Sequence, residues 1–137
     1  MTAVVDTNVV VYYLLGTQPF ADEARRFWRA AAEVWAPSHW EAELANVIWM
    51  AVRTGALPRD EGHRKLDMAS RLGIQAAPVS SLWQAALSRA LESGVAVYDS
   101  LFVELASQHK SRLATFDTEL LNKFPTIAKR PRSFPTH

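Results

Sequence analysis

The chain predicts an α/β fold: a three-layer α/β/α sandwich around a mainly parallel sheet of four to five strands. Two observations carry this. Short apolar runs alternate with helical stretches of ten to fifteen residues, the rhythm of strand–helix–strand units. Helix-starting and helix-stopping residues stand between them, with no internal repeat, low-complexity segment or linker along residues 1–137. One domain is therefore expected.

Taken in order, residues 2–6 read as a buried strand, and Asn8 to Leu15 as a helix stopped near Gly16. Phe20 to Ala32 places Phe20, Ala24, Phe27, Trp28 and Ala31 at helical spacing with charge on the other face. Val34 to Ala36 is a second strand closed by Pro37, after which Ser38 can cap a long helix to about Thr54, with Gly55 as its stop. A polar helix runs from Pro58, a favourable first-turn residue, to Leu72. Ile74 to Val79 has the make-up of a third strand; Ser80 or Ser81 can cap a helix to Ser93, ended by Gly94. Tyr98 to His109 is another helix, Leu113 to Phe116 a fourth strand, and Thr126 to Lys129 a candidate fifth. Residues 129–137 are basic and proline-broken, which predicts a loosely held tail.

Composition narrows the chemistry. At 137 residues the chain can bury about two-thirds of its unfolded surface. It has no cysteine, so thiolate metal sites, disulfides and cysteine nucleophiles are excluded. No apolar stretch approaches the ~18 residues of a membrane span and no basic leader opens the chain, which predicts a cytoplasmic protein. The net charge of +1 does not announce a nucleic-acid binder. His39, His63, His109 and His137 are scattered without ligand pairing and read as surface or capping residues.

Four acids stand out. Asp6, Asp99 and Asp117 lie near helix starts after apolar runs, and Glu43 lies within an apolar helix. Capping accounts equally well for any one of the aspartates. It does not account for Glu43, which shares a stripe with Trp40, Val47 and Met50, although periodicity alone leaves Glu41 and Glu43 both open. Asp99 shares a face with Phe102, Val103 and Ala106. Such carboxylates can converge at one edge of a parallel sheet. Two of them at ~4 Å repel by roughly 4 kcal/mol at an effective dielectric of 20, so a cluster of four calls for a neutralising cation. Oxygen-only ligation selects Mg²⁺, with Mn²⁺ as the alternative.

These segments resemble a known family. Val5-Asp6-Thr7-Asn8, Ala36-Pro37-Ser38 followed by Glu43-Leu44-Ala45-Asn46-Val47, Tyr98 to Ala106, and Leu113 to Asp117 resemble the four motifs of PIN-domain ribonucleases, in the family's order over residues 3 to 121. The length is similar to that of VapC-type toxins of toxin–antitoxin pairs. The resemblance implies a PIN-like fold and a Mg²⁺-dependent endoribonuclease. Asp6, Glu43, Asp99 and Asp117 would be its catalytic and metal-binding acids, and Glu43 is thereby chosen over Glu41. Thr7, Asn8 and Thr115 would be supporting polar groups. The resemblance also implies an RNA substrate, a cognate antitoxin and a homodimer.

Other features are less directed. Arg53, Arg59, His63, Arg64, Lys65 and Arg71 form one basic set that could contact phosphates, interrupted by Asp60, Glu61 and Asp67. Lys110, Arg112, Lys123, Lys129, Arg130 and Arg132 form a second. Of the five tryptophans most are expected in packing, with Trp28 and Trp49 on helices a partner could cover. The competing function is a non-catalytic PIN-like domain binding RNA or a partner. An aspartyl-phosphate phosphatase is disfavoured because Asn8 occupies the place of its second aspartate.

Overall fold

The computed structural model describes residues 1–135. Five strands, β1 (Thr2–Val5), β2 (Glu33–Pro37), β3 (Gln75–Ala77), β4 (Arg112–Ala114) and β5 (Ala128–Lys129), form one sheet in the order β3-β2-β1-β4-β5. Every pairing is parallel, with Val4 opposite Trp35 on one side and Leu113 on the other. Central β1 is apolar on both faces, Ala3, Val4 and Val5 being almost completely buried, as a strand covered by helices on each side requires.

Seven α-helices among the described residues flank the sheet: α1 (Thr7–Leu15), α2 (Ala21–Ala30), α3 (Trp40–Arg53), α4 (Arg59–Ser70), α5 (Trp83–Ser93), α6 (Val97–Gln108) and α7 (Thr118–Lys123). Helices α1 to α4 pack against one another; α6 packs against β1, β2 and β4, and α5 rides on α6. Right-handed crossovers place these groups on opposite faces, because the chain steps outward from β1 to β3 and then returns past β1 to β4. None of these helices is long and apolar enough to cross a membrane.

Local sequence explains most of the elements. Valines are weak helix formers, yet α1 holds Val9, Val10 and Val11 because all three are buried, and tertiary packing outweighs propensity. Gly16 ends α1 in the left-handed region at φ 64°, where a Cβ would be strained. Helix α2 is sharply amphipathic, with Ala24 and Phe27 inward and Arg26 and Arg29 outward. In α3 the buried stripe is Trp40, Leu44 and Ile48, four residues apart; Val47 borders it and Met50 is exposed, so the stripe expected for Glu43 is displaced by about a residue. Helix α4 approaches α3 closely at Gly62, where a Cβ would stand 3.2 Å from Val52.

Three expectations are corrected. Ser38 is not a helix cap: its backbone still pairs with the end of β3, Ser38 N–H donating to Ala77 O at 2.8 Å, and α3 starts two residues later. Ser80 and Ser81 form a 3-10 turn over Val79–Ser81 instead of capping α5, Ser81 Oγ donating to Pro78 O at 2.7 Å. The segment expected as a loose tail is anchored through residue 134. Arg130 donates to both carboxylate oxygens of the buried Glu23 at 2.7 and 3.1 Å, Pro131 is buried, and Phe134 meets Phe27 edge-on at 5.3 Å. A buried glutamate on α2 supplied the partner that the basic composition of the segment did not suggest. The last two residues of that expected tail, 136 and 137, lie outside the described residues.

Candidate active site

The order β3-β2-β1-β4-β5 reverses direction between β1 and β4, and the crevice at the carboxyl ends of that pair is where open α/β sheets bind ligands. Asp6 follows β1 and is buried there. Its backbone N–H still donates to Ala114 O at 2.9 Å, which fixes it against β4. It occupies the N-cap position of α1, but its side chain makes no capping bond. Instead its Oδ2 accepts from Thr115 Oγ1 at 2.8 Å and from Asn8 Nδ2 at 3.4 Å.

Thr115 is completely buried and joins the two strands' ends, its Oγ1 also accepting from Asp117 N–H at 3.0 Å. Asn8 spans the same gap, its Oδ1 accepting from Phe116 N–H at 3.2 Å. Asp117 does cap a helix: its Oδ1 accepts from Glu119 and Leu120 N–H of α7 at 2.8 and 3.3 Å. The capping explanation thus holds for one aspartate and fails for Asp6. Asp99 sits in the first turn of α6, half-buried. On α3, Glu43 reaches the cluster and the exposed Glu41 does not: Thr7 Oγ1 donates to Glu43 Oε1 at 2.8 Å.

The four acids act on one another through charge. Burial pushes the Asp6 carboxyl from 3.8 up to about 7, aided by the charges of Asp99 and Glu43 and opposed by the Thr115 hydrogen bond. Burial also pushes Asp99 up to about 6, with Asp117, Glu43 and Glu119 adding repulsion. Two carboxyls titrating near neutrality in one crevice mark a site short of positive charge. Among the described residues no three Asp, Glu or His side chains converge tightly enough to chelate one ion in this conformation. The acids line a common rim without closing on a point.

Three residues of the rim escaped the sequence reading. His39, expected at the surface or as a cap, lies four residues before Glu43, with its Nε2 3.7 Å from Glu43 Oε1. That nitrogen is also 3.2 Å from the Tyr98 carbonyl, so it carries the proton. The i, i+4 spacing to Glu43 was the available signal. Glu119 enters through its repulsion of Asp99, and Tyr98 stands exposed beside that acid; neither has a signature in periodicity. Much of the basic sets is engaged within the protein. Arg64 pairs with Glu61, Arg71 with Asp67 and Arg130 with Glu23, while Arg53 lies 5.2 Å over the Trp49 ring.

The geometry can be set beside known proteins. A family model described as PIN domain matches residues 3–125. The chain is 29% identical over 129 residues to Ribonuclease VapC3 of Pyrobaculum aerophilum, covering 93% of this chain and 98% of that protein. Among solved structures, it superimposes on VapBC2 from Rickettsia felis, bound to a DNA fragment from their promoter, with a TM-score of 0.65 at 14% identity, covering 95% and 98% of the two chains. FitAcB from Neisseria gonorrhoeae gives 0.64 at 21% identity, covering 96% and 99%. A toxin–antitoxin complex from Klebsiella pneumoniae gives 0.60 at 19%, covering 94% and 97%. At such identities the three structures speak to the fold.

Proposed function

This chain belongs to the PIN-domain family, and from that premise we propose that it is a Mg²⁺-dependent endoribonuclease acting as the toxin of a toxin–antitoxin pair. One observation carries the reading: Asp6 is buried at the sheet's switch point and released from capping duty, the charges of Asp99 and Glu43 act on it, and those of Glu43 and Asp117 act on Asp99. The ribonuclease name of the Pyrobaculum relative and the toxin–antitoxin assemblies among the structural neighbours support it.

The donor set suits a hard divalent cation, Mg²⁺ or Mn²⁺: all carboxylate, in a chain without cysteine, with acids whose raised proton affinity a cation would relieve. Such an ion, when bound by these four acids, supplies Lewis acidity toward the phosphodiester and its attacking water. The chain's own residues prepare the ground for it. Thr115 and Asn8 orient the Asp6 carboxylate, and Thr7 orients Glu43. Without a cation, burial and mutual repulsion push Asp6 up to about 7 and Asp99 up to about 6, so protons and a divalent ion would compete for the same oxygens.

The partners in this reading are RNA, a cognate antitoxin and a second copy of the chain, in the cytoplasm. Exposed apolar surface supports protein partners. A groove of about 580 Å³ between α3 and α4 is lined by Ile48, Trp49, Val52 and Leu66. On α5, Trp83, Leu87 and Leu91 form an exposed stripe four residues apart. Trp49 was expected at such a surface; Trp28 is half-buried against Phe27 and Tyr13, and Trp83 takes its place.

Incubating the purified protein with total RNA in Mg²⁺, Mn²⁺ or EDTA tests the proposal. Cleavage is expected with either metal, none in EDTA, and a loss of about 100-fold or more in Asp6→Asn with the fold retained. Activity of Asp6→Asn equal to wild type sinks the catalytic assignment of Asp6, and no cleavage by wild type with either metal leaves a non-catalytic binding domain.

A further inference from the structure

We propose that Tyr98 and His39 form a nucleobase-binding subsite on the rim of the acidic crevice, where a base next to the scissile phosphate of single-stranded RNA stacks. The inference rests on the nuclease reading for the position of the phosphate and on geometry for the subsite itself.

Tyr98 is 68% exposed, although the residues that follow it on α6, Ser100 to Ala106, are all buried. It is placed beside the site by His39, which neighbours both Glu43 Oε1 and the Tyr98 ring. Its ring does not project alone. The His39 ring lies 5.9 Å away with an interplanar angle of 36°, and leans in turn on buried Phe102 at 5.0 Å. His39 Nε2–H donates to the Tyr98 carbonyl at 3.2 Å and stands 3.7 Å from Glu43 Oε1. One imidazole therefore ties the exposed aromatic to both sides of the rim, α3 and α6.

The chemistry of this surface selects its ligand. A flat aromatic face offers stacking that every base can use, and bases are available for it in single strands, not in the stacked interior of a duplex. A phosphate held among the four acids would have its flanking bases on the side where His39 joins Glu43 to the Tyr98 ring. Trp49, the large exposed aromatic on α3, is six residues beyond Glu43, roughly 9 Å along the helix and farther from the acids than His39. His39 acts as a positioning residue; Tyr98 makes the contact.

The test uses the whole protein and a short single-stranded oligoribonucleotide containing a mapped cleavage site. Tyr98→Ala is expected to raise KM by roughly 5- to 150-fold with kcat largely kept, because stacking is made equally in ground and transition states. Tyr98→Phe and Tyr98→Trp are expected to retain wild-type KM, since the ring and not the hydroxyl is used. Replacing the base on either side of the cleaved bond by an abasic nucleotide should weaken wild type at one position and leave Tyr98→Ala indifferent there.

Binding of the same oligonucleotide in EDTA, followed by fluorescence anisotropy, separates the two ideas. If wild type does not cleave but Tyr98→Ala binds more weakly by a similar factor, the nuclease reading fails and the subsite stands. If Tyr98→Ala and wild type bind and cleave alike, the subsite is overturned and Tyr98 belongs to a protein contact.

Discussion

Asp6 is the residue whose ionisation is most at odds with its surroundings, and the sign of that conflict can be measured. Its carboxyl titrates at about 7 when folded against 3.8 in the unfolded chain, so between those values the folded protein keeps a proton that the unfolded one has lost. The unfolded state then binds fewer protons, and stability falls as pH rises from about 4 to about 7, by on the order of 3 kcal/mol from this group. Urea titrations in EDTA should show that decline, and Asp6→Asn should flatten it while being the more stable protein at pH 8. Asp117 is the opposite case, a working cap. Asp117→Ala should cost about 1 kcal/mol, whereas Asp117→Asn, an equally good cap, should keep stability and lose only what the charge contributes to cleavage. At this scale the family resemblance named the acids and their supporting groups Thr7, Asn8 and Thr115, but not which would pair with which. The Asp6–Thr115 bond joins residues 109 apart, and no local pattern encodes such a pairing.

Among the elements, the alternation of apolar runs and amphipathic stretches located all five strands and six of the seven described helices to within a few residues, because burial on one face leaves its period in the sequence. The short α7 was marked only by its cap, Asp117. The misplacements have tertiary causes. Ser38 and Ser81 look like caps, but the β2–β3 ladder and a 3-10 turn claim them first. The carboxy-terminal segment looked loose because its partner is the single buried glutamate of α2. That partnership makes its own prediction. Burial works to raise the Glu23 carboxyl, but hydrogen bonds from Arg130 and the Arg132 N–H, with the charges of both arginines, hold it below the usual 4.5. Its stabilisation is complete above 4.5 and disappears as pH falls through the lower folded value. Arg130→Ala, which leaves Glu23 buried without its ion pair, should cost about 3 kcal/mol in urea denaturation, with the loss shrinking at pH 3.

For the molecule as a whole, the parallel sheet was legible and its strand order was not, since order depends on which way each crossover turns. That order nonetheless creates the crevice, by making the chain leave β1 to one side and return to the other. A cation bound by the acids would reverse their mutual repulsion and stabilise the entire fold. Saturating Mg²⁺ at about 100 times its dissociation constant should add about 2.7 kcal/mol, read as a rise in melting temperature. The rise should be larger at pH 8 than at pH 5.5, where protons on Asp6 and Asp99 compete with the ion. Equal shifts at both pH values would show the metal binding elsewhere.

The hydrogen bond between Asp6 and Thr115 also sets when the acidic crevice can form during synthesis. Thr115 is made 109 residues after Asp6, and Asp117 two residues later. A nascent chain thus carries Asp6 through all of that interval with no crevice to place it in. The acidic crevice therefore cannot close until that later stretch has left the ribosome and folded against β1.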